Sequence, residues 1–103
     1  MNILKTEKNK IKPLDWSLTA INNRIAIFDY IAREQFNPIN AAIVEGRIVE
    51  AAEKLKRFPL LGIAYKNGQR LAHIPKTQYT IVYRVTDTSI RILRVTHQKR
   101  KVI

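Results

Sequence analysis

Few side chains in this sequence could do bond-breaking chemistry. His73 and His97 are the only imidazoles, and there is no Cys. An imidazole changes protonation near neutral pH and so suits general acid–base work. His97 is the first candidate for such a role, with Lys99 and Arg100 close by. The other reading is that strand alternation sets His97 on the face of Leu93 and Val95 as a hydrogen-bonding structural residue. The lack of thiols excludes disulfides and thiolate metal sites. With few acids near the two histidines in sequence, no metal site is expected, and no motif calls for a cofactor.

What the chain has in abundance is positive charge, unevenly placed. Residues 1–12 carry four Lys and one Glu, residues 13–65 six basic and six acidic groups, and residues 66–103 nine Lys and Arg against Asp87, so the total of +11 divides as +3, 0 and +8. Such a field speeds encounter with nucleic acid, acidic protein or anionic lipid without choosing among them. The basic last third also alternates apolar residues as β-strands do, so its cations ride on a sheet that holds them in place. Arg70, Arg84, Arg91, Arg94 and Lys99 are the candidates for binding a partner, Arg being suited to carboxylate and phosphate through its planar fork of donors. Arg70 has a second reading, an ion pair with Glu50 or Glu53.

The elements that must position these groups are legible from punctuation and period. A chain of 103 residues is expected to form one domain over residues 1–103, with the polar residues 1–10 frayed. Ile11 to Trp16 reads as a short strand, and Ser17 as the N-cap of a helix over 18–35. Ile21, Ile25, Phe28 and Ala32, at steps of four, three and four, with Ile31 beside them, form the stripe expected to enter the core. Asn37-Pro38 supplies a cap and a first-turn residue. A second helix over 38–57 follows, carrying Val44, Ile48, Ala51, Leu55 and Phe58. Two residues between the helices imply an antiparallel hairpin packed on a sheet. After a loop with Pro59, Gly62 and Gly68, strands are expected at Gln69–Ile74, Tyr79–Val85 and Ile90–Thr96. The result is a two-layer α+β domain of order β-α-α-β-β-β, closing in an antiparallel meander. No stretch approaches the ~20 apolar residues of a membrane span, and residues 1–12 do not resemble a signal peptide, so a cytoplasmic protein is expected with no membrane partner.

Several of these residues together carry a resemblance. Trp16, Ala20, Tyr30-Ile31, Asn37-Pro38, Ala41-Ala42, Leu55, Phe58-Pro59, Gly68, Arg70-Leu71, Tyr79-Thr80-Ile81-Val82-Tyr83-Arg84-Val85, Ile92-Leu93-Arg94-Val95 and His97 resemble the RelE/ParE superfamily of type II toxin-antitoxin toxins over roughly residues 14–100. The resemblance implies a small toxin that arrests growth until a cognate acidic antitoxin neutralises it in a higher-order complex. The RelE-type branch cleaves mRNA on the ribosome. Aligned on Tyr79 to Val85, this chain has Leu71 and His73 where that branch usually has Lys, Pro75 where it has Arg, and Arg100 where an Arg is expected, with no Tyr after it. On the nuclease reading the candidate catalytic residues are therefore His73, His97 and Arg100. The ParE-type branch, resembled more closely through Gly68-x-Arg70-Leu71 and Leu93-Arg94-Val95-x-His97, implies inhibition of DNA gyrase without catalytic residues. A third possibility, from a different class, is a basic nucleic-acid-binding domain with no toxicity.

Overall fold

The computed structural model describes residues 11–99; residues 1–10 and Arg100 lie outside them. Strand β1 (Leu14–Trp16) leads into helix α1 (Leu18–Asp29), which continues as a π-helical turn (Tyr30–Glu34). Helix α2 (Pro38–Leu55) returns, and β2 (Ile63–Ala64), β3 (Arg70–His73), β4 (Tyr79–Val85) and β5 (Ile90–His97) follow. The sheet order is β1-β5-β4-β3-β2, with β1 parallel to β5 and every other pair antiparallel. The meander β3-β4-β5 is as expected from the sequence. The two-residue strand β2 was not expected; it sits in what reads as loop, because two residues are too few to show a period.

Both helix starts follow from their caps. Ser17 Oγ accepts from the Ala20 N–H at 3.0 Å, and Asn37 Oδ1 accepts from the Asn40 N–H at 3.1 Å with Pro38 in the first turn. Along α2 the buried residues are Ala41, Val44, Ile48, Ala52 and Leu55, at helical spacing. They meet Ile81, Tyr83, Ile90, Ile92 and Val95 from the sheet. Each such large apolar side chain taken out of water contributes about 1.5–3 kcal/mol. Ala51 packs partly against this core, whereas Phe58, expected to close the stripe, is exposed.

Helix α1 departs further from expectation. Its stripe of Ile21, Ile25 and Phe28 faces outward, Ile25 being 62% exposed, while Ala20 and Ile31 are buried and Ile27 packs partly against the core. The cause is polar. Strand β5 carries an extra residue, since Val82 pairs with Arg94 and Tyr83 with Ile92, leaving Leu93 unopposed in a bulge. Ser17 Oγ donates to the Leu93 carbonyl at 2.7 Å, and Asn23 Oδ1 accepts from the Val95 N–H at 2.9 Å. These bonds satisfy backbone groups around the bulge and fix the rotation of α1, so the stripe one position away from the bonded one stays in solvent.

The connection from α2 to β2 is held by a buried tyrosine. Tyr83, fully enclosed, accepts from the Gly62 N–H at 2.9 Å and donates to the Pro59 carbonyl at 2.7 Å. Tyr83→Phe leaves both groups without that partner and is expected to cost about 1–3 kcal/mol in urea unfolding. A change under about 0.5 kcal/mol, the size of an ordinary surface effect, would show that the loop is held by other means.

Candidate functional site

The sheet sorts the candidate residues by face. His97 pairs with Tyr79 and His73 with Thr80. Neighbours on a strand point to opposite faces, so the two histidines lie on opposite sides of the sheet and share no site. Arg100 lies outside the described residues.

His97 belongs to the side that carries the helices. There a cleft of about 920 Å³ opens between the helical pair and the ends of β4 and β5. Its polar lining includes Asn23, Tyr30, Lys76, Tyr79, His97 and Lys99, and among the described residues no Asp or Glu lines it. The His97 ring is oriented from two directions: Nδ1 accepts from the Lys99 N–H at 3.0 Å, and the ring stands edge-on to Tyr79 with centroids 5.2 Å apart. Lys76 sits at the tip of the β3–β4 turn with φ of 61°, a left-handed conformation uncommon for a residue with a Cβ. Thr77 Oγ1 donates to the Ile74 carbonyl and accepts from the Tyr79 N–H, while Arg47 donates to the Lys76 carbonyl at 3.2 Å. Two lysines, an imidazole and two tyrosines around a cleft without acids suit an anionic group. Neither Lys76 nor Tyr30 was a site candidate from the sequence, since a turn lysine and a helix tyrosine share no local pattern until the fold joins them.

The opposite, helix-free face carries the other cations. On it Arg84 pairs with Arg91 across the strands and Arg94 with Val82. Arg91 forms an ion pair with Asp15, and Arg84 donates to the Asn67 carbonyl at 2.9 Å. The Arg94 side chain has no hydrogen-bond partner among the described residues. The strip is therefore partly occupied internally, with Arg94 the cation most available to a partner.

Arg70 is placed differently from both. It pairs with Tyr83 and bends over the loop, donating through Nε and Nη2 to the Gly62 carbonyl at 3.1 and 2.6 Å and to the Leu60 carbonyl at 3.3 Å. It forms no ion pair with Glu50 or Glu53; its fork closes on backbone oxygens. Trp16, half-buried, has the Arg24 guanidinium over its ring at 4.4 Å, and Arg24 is itself ion-paired with Glu45. Among the described residues no group of three or more His, Cys, Asp or Glu could hold a metal ion, and no helix is long and apolar enough to cross a membrane.

Residues 14–102 match the model of a family described as the ParE toxin of the type II toxin-antitoxin system parDE. Among solved structures, the chain is similar to the chromosomal ParDE TA system from P. aeruginosa, at 24% identity and a TM-score of 0.73 over 85% of this chain and 97% of that one, a likeness of fold. It is also similar to the toxin-antitoxin complex RelBE2 from Mycobacterium tuberculosis, at 25% identity and a TM-score of 0.62, covering 84% of this chain and 96% of that one. No curated protein matches the chain.

The two kinds of arginine separate experimentally. Arg70→Gln removes charged donors from two loop carbonyls and is expected to lower unfolding stability by about 1–3 kcal/mol. Arg94→Gln is expected to stay within about 0.5 kcal/mol of the parent. Equal losses in denaturant titrations would contradict the assignment of the Arg70 side chain to the loop carbonyls and of Arg94 to an open face without such bonds.

Proposed function

We propose, from the premise that this chain belongs to the ParE family of type II toxin-antitoxin toxins, that it arrests growth by binding DNA gyrase in the cytoplasm and is neutralised by a cognate acidic antitoxin in a higher-order complex. The observation that carries the reading is the ParE family match across residues 14–102. Two features of the molecule support it. The candidate acid–base groups do not converge, since His73 and His97 lie on opposite faces of the sheet. The chain offers surfaces instead: a strip with Arg84, Arg91 and Arg94, and the outward stripe of Ile21, Ile25 and Phe28 on α1.

An acidic antitoxin with an amphipathic segment, wrapping around the domain, fits these two surfaces, one on each side of the sheet. Its carboxylates answer the arginines, and its apolar residues cover the α1 stripe, burying area that the small domain leaves open. Apolar burial is insensitive to screening, so the complex should loosen less with salt than a purely electrostatic one.

One observation favours a second reading, a ribosome-dependent mRNA endoribonuclease. His97, Lys76 and Lys99 line one cleft. An imidazole able to move a proton and two ammonium groups able to face a phosphate are part of what transesterification of RNA needs.

Induced expression in a bacterial host separates the readings. The gyrase reading expects filamentation, an SOS response and loss of negative supercoiling, with toxicity unchanged in His97→Ala. A prompt halt in translation with mRNA cut at codons, abolished by His97→Ala, would replace it with the nuclease reading. Growth unaffected by the induced, folded protein would leave a basic nucleic-acid-binding domain. For the antitoxin, the acidic protein encoded beside this gene is expected to co-purify and to stay bound at about 0.5 M salt, where exposed charge pairs are largely screened. Complete dissociation there would remove the apolar part of the proposal.

A further inference from the structure

The loop between α2 and β2 presents large apolar side chains on a backbone that is unusually well held. Phe58, Leu60, Leu61 and Ile63 are between 54% and 68% exposed. Three devices fix the chain among them. Tyr83 Oη bonds both the Gly62 N–H and the Pro59 carbonyl, Arg70 bonds the carbonyls of Leu60 and Gly62, and Gly62 lies so close to β3 that a Cβ there would stand 2.8 Å from Leu71 C and 2.9 Å from Tyr83 Cε1. A loop with exposed apolar residues and loose backbone would bend them inward. Here the backbone cannot follow, and the side chains remain in water.

Beside this platform the sheet ends. Among the described residues strand β2 is last in the order, pairing with β3 only. The Tyr65 N–H donates to the Gln69 carbonyl at 2.8 Å, in register with the pairs Ile63–Leu71 and Ala64–Arg70. Antiparallel alternation therefore directs the backbone of Ile63 and Tyr65 towards β3 and turns the N–H and C=O of Ala64 to the outer edge. An edge with apolar neighbours is a template for another strand, and this one carries no proline to blunt it.

Charge selects the occupant. From Lys54 to Thr86 the sequence contains seven Lys and Arg and no acid, and Arg57 and Lys66 flank the platform, both exposed. A second copy would bring these cations against their own images. The chain's own residues 1–10, with three Lys and one Glu, have the wrong sign as well. We infer that Leu60, Leu61 and Ile63 together with the outer edge of Ala64 form a docking surface for an acidic, extended segment of another protein, which adds to the sheet beyond β2. The surface is distinct from the cleft at His97 and does not depend on which target the toxin arrests.

The test uses the isotope-labelled full chain and a capped peptide of about ten residues, a common strand length, alternating Glu with Val. Titration should shift the backbone amides of residues 60–65, Ala64 most, while a peptide with Lys in place of Glu should leave them unmoved. Ala64→Pro removes the outward N–H without touching the bonds to β3, and should weaken the Glu peptide about fivefold to tenfold, the range of one backbone hydrogen bond. Leu61→Ser combined with Ile63→Ser should weaken it by at least about that factor, two exposed apolar contacts being lost. If Ala64→Pro fails to fold, as circular dichroism would show, the serine pair decides. Unchanged affinity in the folded variants, or shifts confined to the strip around Arg84 and Arg94, would overturn the inference. So would a concentration-dependent dimer abolished by the serine pair, which would give the face to a second copy.

Discussion

The bulge at Leu93 is the constraint on which the working surfaces of this molecule depend. An extra residue in β5 leaves ladder groups that water cannot reach easily, and a buried unpaired backbone group costs about as much as a lost hydrogen bond. Helix α1 resolves this with Ser17 and Asn23, one bonded on either side of Arg94. Two bonds from one helix to one strand leave no freedom of rotation about the helix axis. That rotation turns Asn23 and Tyr30 into the cleft with His97, and it turns Ile21, Ile25 and Phe28 away from the core. Hydrogen bonding thus overrides the larger apolar payload of the outer stripe, because a helix can bury one face only and the polar penalty falls on backbone atoms that cannot move.

A similar logic gives the cations their separate duties. Arg70 and Arg84 both contact backbone carbonyls, but Arg70 is half-buried and bridges two residues of one loop, whereas Arg84 reaches a turn from an exposed position. Arg91 balances Asp15 on the parallel neighbour β1. Arg24 spans the ring of Trp16 and Glu45, tying β1 and the two helices together. Among the described residues, what remains for outside partners is less than a count of basic residues implies: Arg94 on the open face, Lys76, Lys99 and His97 around the cleft, and exposed Arg57 and Lys66 beside the loop before β2. The chain belongs to the ParE toxin family, and a domain this small keeps groups free for a partner only by setting them apart from those that hold its fold.

Much of this was readable in order of residues. Asn37-Pro38 gave a helix start because a side-chain acceptor and a fixed φ act within one turn. Tyr79 to Val85 read as a strand because period two is local. Ile21, Ile25 and Phe28 misled, since periodicity reports that a helix has an apolar face and not which partner that face meets. Strand β2 escaped notice because two residues carry no period, and Arg70 was open between a partner and an acid because nothing in sequence marks a backbone carbonyl as the third choice.

The sequence by itself determined the elements other than β2 and the division of charge into a neutral middle and a basic end, which rest on short-range pattern and composition, and its residues from 14 to 100 carried the family resemblance. Only the tertiary structure decided the rotation of α1, the separation of His73 from His97 by the thickness of the sheet, the joining of Lys76 to Lys99 across a cleft, and the outward setting of Leu60, Leu61 and Ile63. Those outcomes depend on register, on a one-residue bulge and on hydrogen bonds between residues more than 70 apart, such as Ser17 to Leu93. A local pattern cannot contain them, because each is settled by competition among distant groups for the same backbone partners.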